Sequence, residues 1–180
     1  MRLVPRLAVV LTTVLACVGC DQATKSAAQA HLAHGPIVSL LGDTLRLQYA
    51  ENSGAFLSMG AGLPDAVRHA IFIGGVAVIL LVVLVAALLM RRLPASRLFA
   101  LALICGGGLG NLADRIARDG RVIDFLNVGV GPLRSGIFNV ADVALVVGVA
   151  MMMLGGDGAR RVTPPRDAAP PPASPPTAPG

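Results

Sequence analysis

Tryptophan is absent from these 180 residues and tyrosine occurs once. Charged side chains make up 14% of the chain, against about 25% in an ordinary soluble domain. With 54% apolar residues, that balance is a membrane protein's. Only three cysteines occur, Cys17, Cys20 and Cys105, all within or at the edge of apolar runs. An odd count so placed is not a disulfide framework. His31, His34 and His69 have no cysteine partner and no HExxH spacing, which removes a zinc site. No Ser-His-Asp order is present either. Ser53-Gly54 follows Glu51-Asn52 rather than Gly-x, and His69 is the one candidate base. The net charge of +5 does not read as a nucleic-acid footprint, because the basic residues fall at the ends of apolar runs.

Four apolar runs organise the chain. The first follows Arg2 and Arg6 and spans Leu7–Cys20. Val14-Leu15-Ala16-Cys17 imitates a lipoprotein processing site, which would make the protein an exported lipoprotein anchored at Cys17 or Cys20. Helical composition nevertheless continues through Asp21–Ala30, with no loop signal before His34-Gly35-Pro36, so one helix from Leu3 to about Ala33 is expected. Asp21 and Lys25 are four apart on one face of it, the acid N-terminal, as a surface pair or a polar group at the rim of a site. Ala70–Met90 holds 21 residues without a charge, enough to cross a bilayer. Leu98–Ala113 ends in a glycine cluster that permits close helix contact, and Ile137–Gly156 is the fourth run. Thr44–Tyr49 alternates with period two, which signals a strand, and runs into the turn chemistry of Asn52-Ser53-Gly54. Arg118-Asp119-Gly120-Arg121 marks a turn before the strand-like Val122–Leu126. Eight of the thirteen prolines lie between Pro164 and Pro179, which reads as a disordered tail over 159–180.

The expected architecture is a membrane α-helical domain over 1–158 with four transmembrane helices, at about 7–30, 69–90, 97–114 and 137–156. The segments 34–66 and 116–136 lie outside. The side of the termini carries eight arginines against two aspartates, and the other side seven cations against eight carboxylates. By the positive-inside rule both termini are cytoplasmic. This topology gathers the amides and carboxylates at one surface: Asp21 to Lys25, Asn52 to Ser58, Asn111 to Arg115, Asp124, and Asn139 with Asp142. Asp142 sits six residues into the fourth run, where an Asp at a helix centre costs roughly 2.5–3.5 kcal/mol and so marks a functional position. A carboxylate pair sharing one proton is the chemistry that remains. Asp124 and Asp142 are the choice, one on an apolar loop that can fold over the other at a helix mouth. Three carboxylates could hold Mg²⁺, but the spacing of Asp114, Asp124 and Asp142 matches no phosphotransferase motif. No metal and no cofactor is expected.

Four stretches in register carry a resemblance. Asp21-Gln22-x-Thr24-Lys25, Gly110-Asn111-x-x-Asp114-Arg115, Val122-Ile123-Asp124-Phe125 and Phe138-Asn139-x-Ala141-Asp142 are similar, in order and spacing, to the motifs of lipoprotein signal peptidase. That is the type II signal peptidase of bacterial inner membranes. The resemblance covers about Leu7 to Gly156. It implies an aspartic endopeptidase with Asp124 and Asp142 catalytic. Asn52, Gly54, Asn111, Arg115 and Asn139 would hold substrate backbone and fix the pair. Asp21 and Lys25 would support the site, and Asp114 would be structural, paired with Arg115. The implied substrate is a prolipoprotein cut just before a diacylglyceryl-modified cysteine. A small periplasmic sheet, with a short periplasmic loop or helix over the site, would cradle it. Membrane lipid is the other implied partner, nucleic acid is not one, and the chain is expected to act as a monomer. One departure stands out: the family's Asn-x-Gly-Ala-Ala-Phe is Asn52-Ser53-Gly54-Ala55-Phe56-Leu57 here, so Phe56 replaces a small residue in the substrate groove. The rival reading is a non-catalytic polytopic membrane scaffold or binding protein.

Overall fold

The computed structural model describes residues 3–54, 60, 62–90 and 93–154. Phe56 and the proline-rich tail lie outside the described residues. Helix α1 spans Leu3–Leu32 and is followed by strands β1 (Val38–Leu40) and β2 (Leu45–Asn52). A short helix α2 (Asp65–His69) passes through a π-helical turn (Ala70–Gly75) into α3 (Val76–Leu89). Then come α4 (Ala95–Ala117), β3 (Val122–Val130), β4 (Leu133–Arg134) and α5 (Val140–Leu154). The strands form one antiparallel sheet in the order β1-β2-β3-β4.

Among the described residues, three helices are long and apolar enough to cross a membrane: Leu3–Leu32, Asp65–Leu89 and Ala95–Ala117. The fourth run forms a helix of 15 residues. Within the described residues, which end at Leu154, that is about 22 Å at 1.5 Å per residue. The second helix starts at Asp65, earlier than its apolar run, because Asp65 and Arg68 make an i,i+3 ion pair on its first turn (2.6 Å). Arg6, counted in the sequence as a topological charge, is buried. Its guanidinium donates to the carbonyls of Ala87 and of Met90 (2.9 Å) at the C-terminal end of α3, where the helix dipole favours a cation.

Helix α4 is the centre of the bundle, and its glycines explain why. A Cβ on Gly106 would lie 2.6 Å from the Cβ of Cys17 in α1. On Gly107 it would meet the Ala141 carbonyl oxygen of α5 at 2.4 Å, and on Gly108 the Leu80 side chain of α3 at 2.4 Å. Three consecutive residues thus seat three different helices, which only a residue without a side chain allows at such range. Between α4 and β3, Asp119 and Gly120 both take positive φ (51° and 81°). That is the backbone a tight two-residue reversal needs, and it delivers β3 directly above the end of α4.

Gly107→Ala should therefore lower stability by about 1–3 kcal/mol, the cost of overpacking a rigid contact. Gly19, which has open space where its Cβ would be, should gain slightly on the same substitution. Thermal unfolding of both variants in detergent checks the contrast.

Candidate active site

The site is built from side chains on α1, α4, β3 and α5, and from the end of β2. Its deepest member is Lys25, the chain's single lysine, which is completely buried. Its ammonium reaches Asp21 at 2.8 Å and Asp114 at 3.0 Å, and donates to Asn111 Oδ1 at 3.0 Å. An ammonium has three N–H donors, so all are used. The expected pairing of Asp114 with Arg115 is corrected by this geometry: Asp114 belongs to Lys25. It also accepts from Gln22 Nε2 (3.1 Å) and from the Ile123 backbone N–H (3.1 Å). Asp21 and Lys25 are likewise not a surface pair. Asp21 is fully buried and takes the Ala141 N–H at 3.0 Å. Gly110 is glycine because a Cβ there would come within 2.6 Å of Asp21 Oδ2.

One layer further out, two asparagines link this cluster to two carboxylates. The Asn111 amide oxygen is taken by Lys25 and by Asn139 Nδ2 (3.1 Å), so its nitrogen is turned to Asp142 Oδ1 at 2.9 Å. Asn139 is fully buried, and its Nδ2 donates to Asp124 Oδ1 at 2.7 Å. Asn139 and Asp142 also close a reciprocal pair. The Asp142 N–H donates to Asn139 Oδ1 (3.0 Å) and the Asn139 N–H to Asp142 Oδ2 (3.1 Å). This is a capping box at the first turn of α5, with Asp in the usual Glu position. The helix begins after Asn139, so Asp142 is not a mid-helix charge, and the insertion cost anticipated from the sequence does not apply to it.

Asp124 comes down from β3. It accepts from Asn52 Nδ2 at 3.1 Å, and Asn52 Oδ1 in turn accepts the Gly54 N–H at 2.9 Å. Burial pushes the Asp124 carboxyl up to about 6, reinforced by the neighbouring Asp142 charge and opposed by the Asn52 and Asn139 hydrogen bonds. Arg115 donates to the Gly54 carbonyl (2.8 Å) and stacks over the Phe72 ring with its guanidinium carbon 5.6 Å from the centroid. Asn52, Asn111, Arg115, Asp124 and Asp142 line one end of a cleft of about 410 Å³. Its other walls are apolar: Val76, Ile79 and Leu80 of α3, Ile104 of α4, Leu145 and Val146 of α5. Among the described residues no three His, Cys, Asp or Glu side chains are grouped to hold a metal ion. Gln22 escaped the sequence reading of individual roles, although it stands inside the first motif. It bonds Asp21 (3.3 Å), the Gly110 carbonyl (3.2 Å) and Asp114.

Apolar helices with two carboxylates in a largely apolar cleft define the class: a membrane-type protein with paired carboxylates at one cleft. The sequence profile of signal peptidase (SPase) II matches residues 13–156. The lipoprotein signal peptidase of Leifsonia xyli subsp. xyli is 38% identical over 152 residues, 81% of this chain and 66% of that protein. That of Cronobacter sakazakii is 39% identical over 139 residues, 76% of this chain and 81% of that one. Among solved structures, a bacterial membrane enzyme determined by the in meso method at 2.3 Å superposes with a TM-score of 0.73 at 23% identity, over 83% of this chain and 87% of that one. The last comparison speaks to the fold alone. The chain belongs to the signal peptidase II family, an aspartic peptidase family.

Two predictions follow from the geometry. Lys25→Met leaves Asp21 and Asp114 buried without their cation and should cost about 3–5 kcal/mol, read as a lower unfolding midpoint in detergent. The raised Asp124 carboxyl has a definite sign. A carboxyl held near 6 when folded and near 3.9 when unfolded adds stability below the unfolded value, and that contribution is lost as pH rises through about 6. The unfolding midpoint of wild type relative to Asp124→Asn should therefore climb as pH is lowered from 8 to 4. A flat or falling difference contradicts the assignment.

Proposed function

We propose that this chain is a membrane endopeptidase that removes signal peptides from prolipoproteins, cutting N-terminal to a diacylglyceryl-modified cysteine with Asp124 and Asp142 as the catalytic pair. The observation that carries the reading is the shared cleft. Two carboxylates tied together through Asn111 and Asn139 sit at one end, and a wall of aliphatic side chains forms the other. A substrate with a scissile amide next to an acyl-bearing cysteine has the same two halves.

The roles divide by environment. Asp142, which accepts a backbone N–H at the N-terminus of α5 and an amide N–H from Asn111, is the base. Asp124, whose carboxyl burial pushes up to about 6, is the acid. In the reaction Asp142 takes a proton from water as the hydroxide forms its bond to the scissile carbonyl carbon. Asp124 gives its proton to the carbonyl oxygen. Collapse of the tetrahedral intermediate breaks the C–N bond, with the proton on Asp142 passing to the leaving amine and that on the oxygen returning to Asp124. Asn52 accepts the Gly54 N–H and Arg115 donates to the Gly54 carbonyl, and they are the groups to meet substrate backbone. Four crossings, cytoplasmic termini and a periplasmic site in a bacterial inner membrane complete the proposal. The charge asymmetry of the loops supports it.

The deciding experiment is cleavage of a diacylglyceryl-cysteine prolipoprotein by purified protein in detergent. Asp124→Asn and Asp142→Asn should each fold and each lose activity by about 10²–10⁴-fold or more, and a chelator should change nothing. If either variant cuts at the wild-type rate, that aspartate is not catalytic. If neither wild type nor variants cut, the scaffold reading takes over.

A further inference from the structure

Among the described residues Arg115 is the one cation that lines the cleft, and it shares that cleft with Asp124 and Asp142. Its side chain is buried. A buried guanidinium near two carboxylates has a strong alternative, a forked ion pair with one of them. It does not take it. Among the described residues its hydrogen bonds go to two backbone carbonyls, Gly54 at 2.8 Å and Asn111 at 3.3 Å, and its Nε–H has no acceptor. Asp114, one residue before it, is paired with Lys25. What holds the cation is a ring: the guanidinium carbon lies 5.6 Å from the Phe72 centroid, within the range at which a cation is drawn to an aromatic face.

Phe72 stands in an irregular turn. It belongs to the π-helical Ala70–Gly75, where the Val76 N–H reaches back five residues to the Ile71 carbonyl. Such turns are rare inside α-helices and recur at functional sites. After the turn, α3 gives the cleft only aliphatic side chains, Val76, Ile79 and Leu80, and Phe72 is the one aromatic among the described residues of its wall. The tip of the ring is fixed as well. A Cβ on Gly60 would fall 3.0 Å from Phe72 Cζ, so the backbone there packs on the ring. Gly60 and Gly54 both lie in the connection between β2 and α2, and the Gly54 carbonyl is the one Arg115 holds. Ring and guanidinium therefore meet this connection at two points and meet each other between them.

We infer that Phe72 is a positioning residue for the cleavage reaction: its ring seats the Arg115 guanidinium against backbone carbonyls and away from the two aspartates, so that the cation is presented to the carbonyl groups of the substrate chain. The inference rests on the function proposed above and adds a residue from outside the motif stretches. Its physical basis is competition. A guanidinium paired with Asp124 or Asp142 would be lost to the substrate, and it would favour the ionised form of whichever carboxyl it met. Over the ring it uses two of its five N–H donors and keeps the others for a ligand.

The test is steady-state cleavage of a diacylglyceryl-cysteine prolipoprotein by the full chain in detergent, with two replacements at one position. Phe72→Leu keeps an apolar side chain and removes the aromatic face. A ring-fluorinated phenylalanine at the same position keeps the ring and withdraws negative charge from its face, which spares the fold. The expected result is a KM raised roughly 3- to 30-fold by Phe72→Leu and at least about twofold by the fluorinated ring, with kcat within about twofold in both. A fall in kcat at unchanged KM overturns the inference, because a smaller folded fraction gives that. So does an unchanged KM in both, and so does a rise confined to Phe72→Leu, since the ring would then only fill the cleft wall. Wild type that does not cleave removes the proposed function and this inference together, whereas wild type that cleaves beside unaltered variants removes the inference alone.

Discussion

Everything at the polar end of this protein depends on one buried ammonium. Taking an ion out of water costs several kcal/mol, even after relaxation, and Lys25 is fully buried. Its position is tolerable because each of its three protons has an acceptor and two of these acceptors are anionic. The arrangement also runs the other way. Asp21 and Asp114 together carry one more charge than Lys25 neutralises; Arg118 lies 3.7 Å from Asp114, and the Ala141 and Ile123 backbone N–H groups and the Gln22 amide donate to the pair. These donors come from α5, from β3 and from α1. The ion cluster thereby holds three elements to α4, and its satisfaction is a condition on the whole fold, not on one pair.

The consequence reaches the cleft through amide orientation. An asparagine side chain can face either way in a socket, and its direction decides whether it offers a donor or an acceptor. Lys25 claims the Asn111 oxygen, so the Asn111 nitrogen faces Asp142. The other Asn111 lone pair takes Asn139 Nδ2, and Asn139 in turn reaches Asp124. A cation that touches neither carboxylate of the cleft therefore sets the hydrogen bonds of both. The glycines of α4 serve the same end. Without Gly107 and Gly110, α5 and Asp21 would stand off from α4 and these hydrogen bonds would lengthen beyond use.

The apolar runs were legible in the sequence because length and lack of charge are local properties, and so were the strand signals of Thr44–Tyr49 and Val122–Leu126, though not their antiparallel pairing. The motif resemblance named the residues that meet at the cleft. What escaped was whatever depends on partners far apart in the chain. Asp114 has an adjacent arginine, and the eye pairs neighbours, but its cation lies 89 positions away on another helix. Asn139 and Asp142 failed differently. Asn-x-x-Asp is a helix-start pattern, yet it was read as part of an apolar run because Ile137 and Phe138 precede it. Those two residues are extended, Phe138 bridging to Leu126 of the sheet. The three-residue strand β1 and the irregularity between Leu47 and Ala50 in β2 leave no periodic signal at all.

Asp124 and Asp142 line one cleft but sit in very different seats. In the proposed catalytic pair, identical surroundings would leave a shared proton without a preferred owner. Here Asp142 closes the N-terminus of α5 and receives the Asn139 backbone N–H. Asp124 hangs from a strand and accepts only side-chain amides, from Asn52 and Asn139, and burial dominates its titration. The asymmetry is therefore inherited from secondary structure: one carboxylate at a helix start, one in a sheet. In the proposed reaction Asp124 on the sheet side is the acid and Asp142 on the helix side the base, so the division of roles follows the secondary structure.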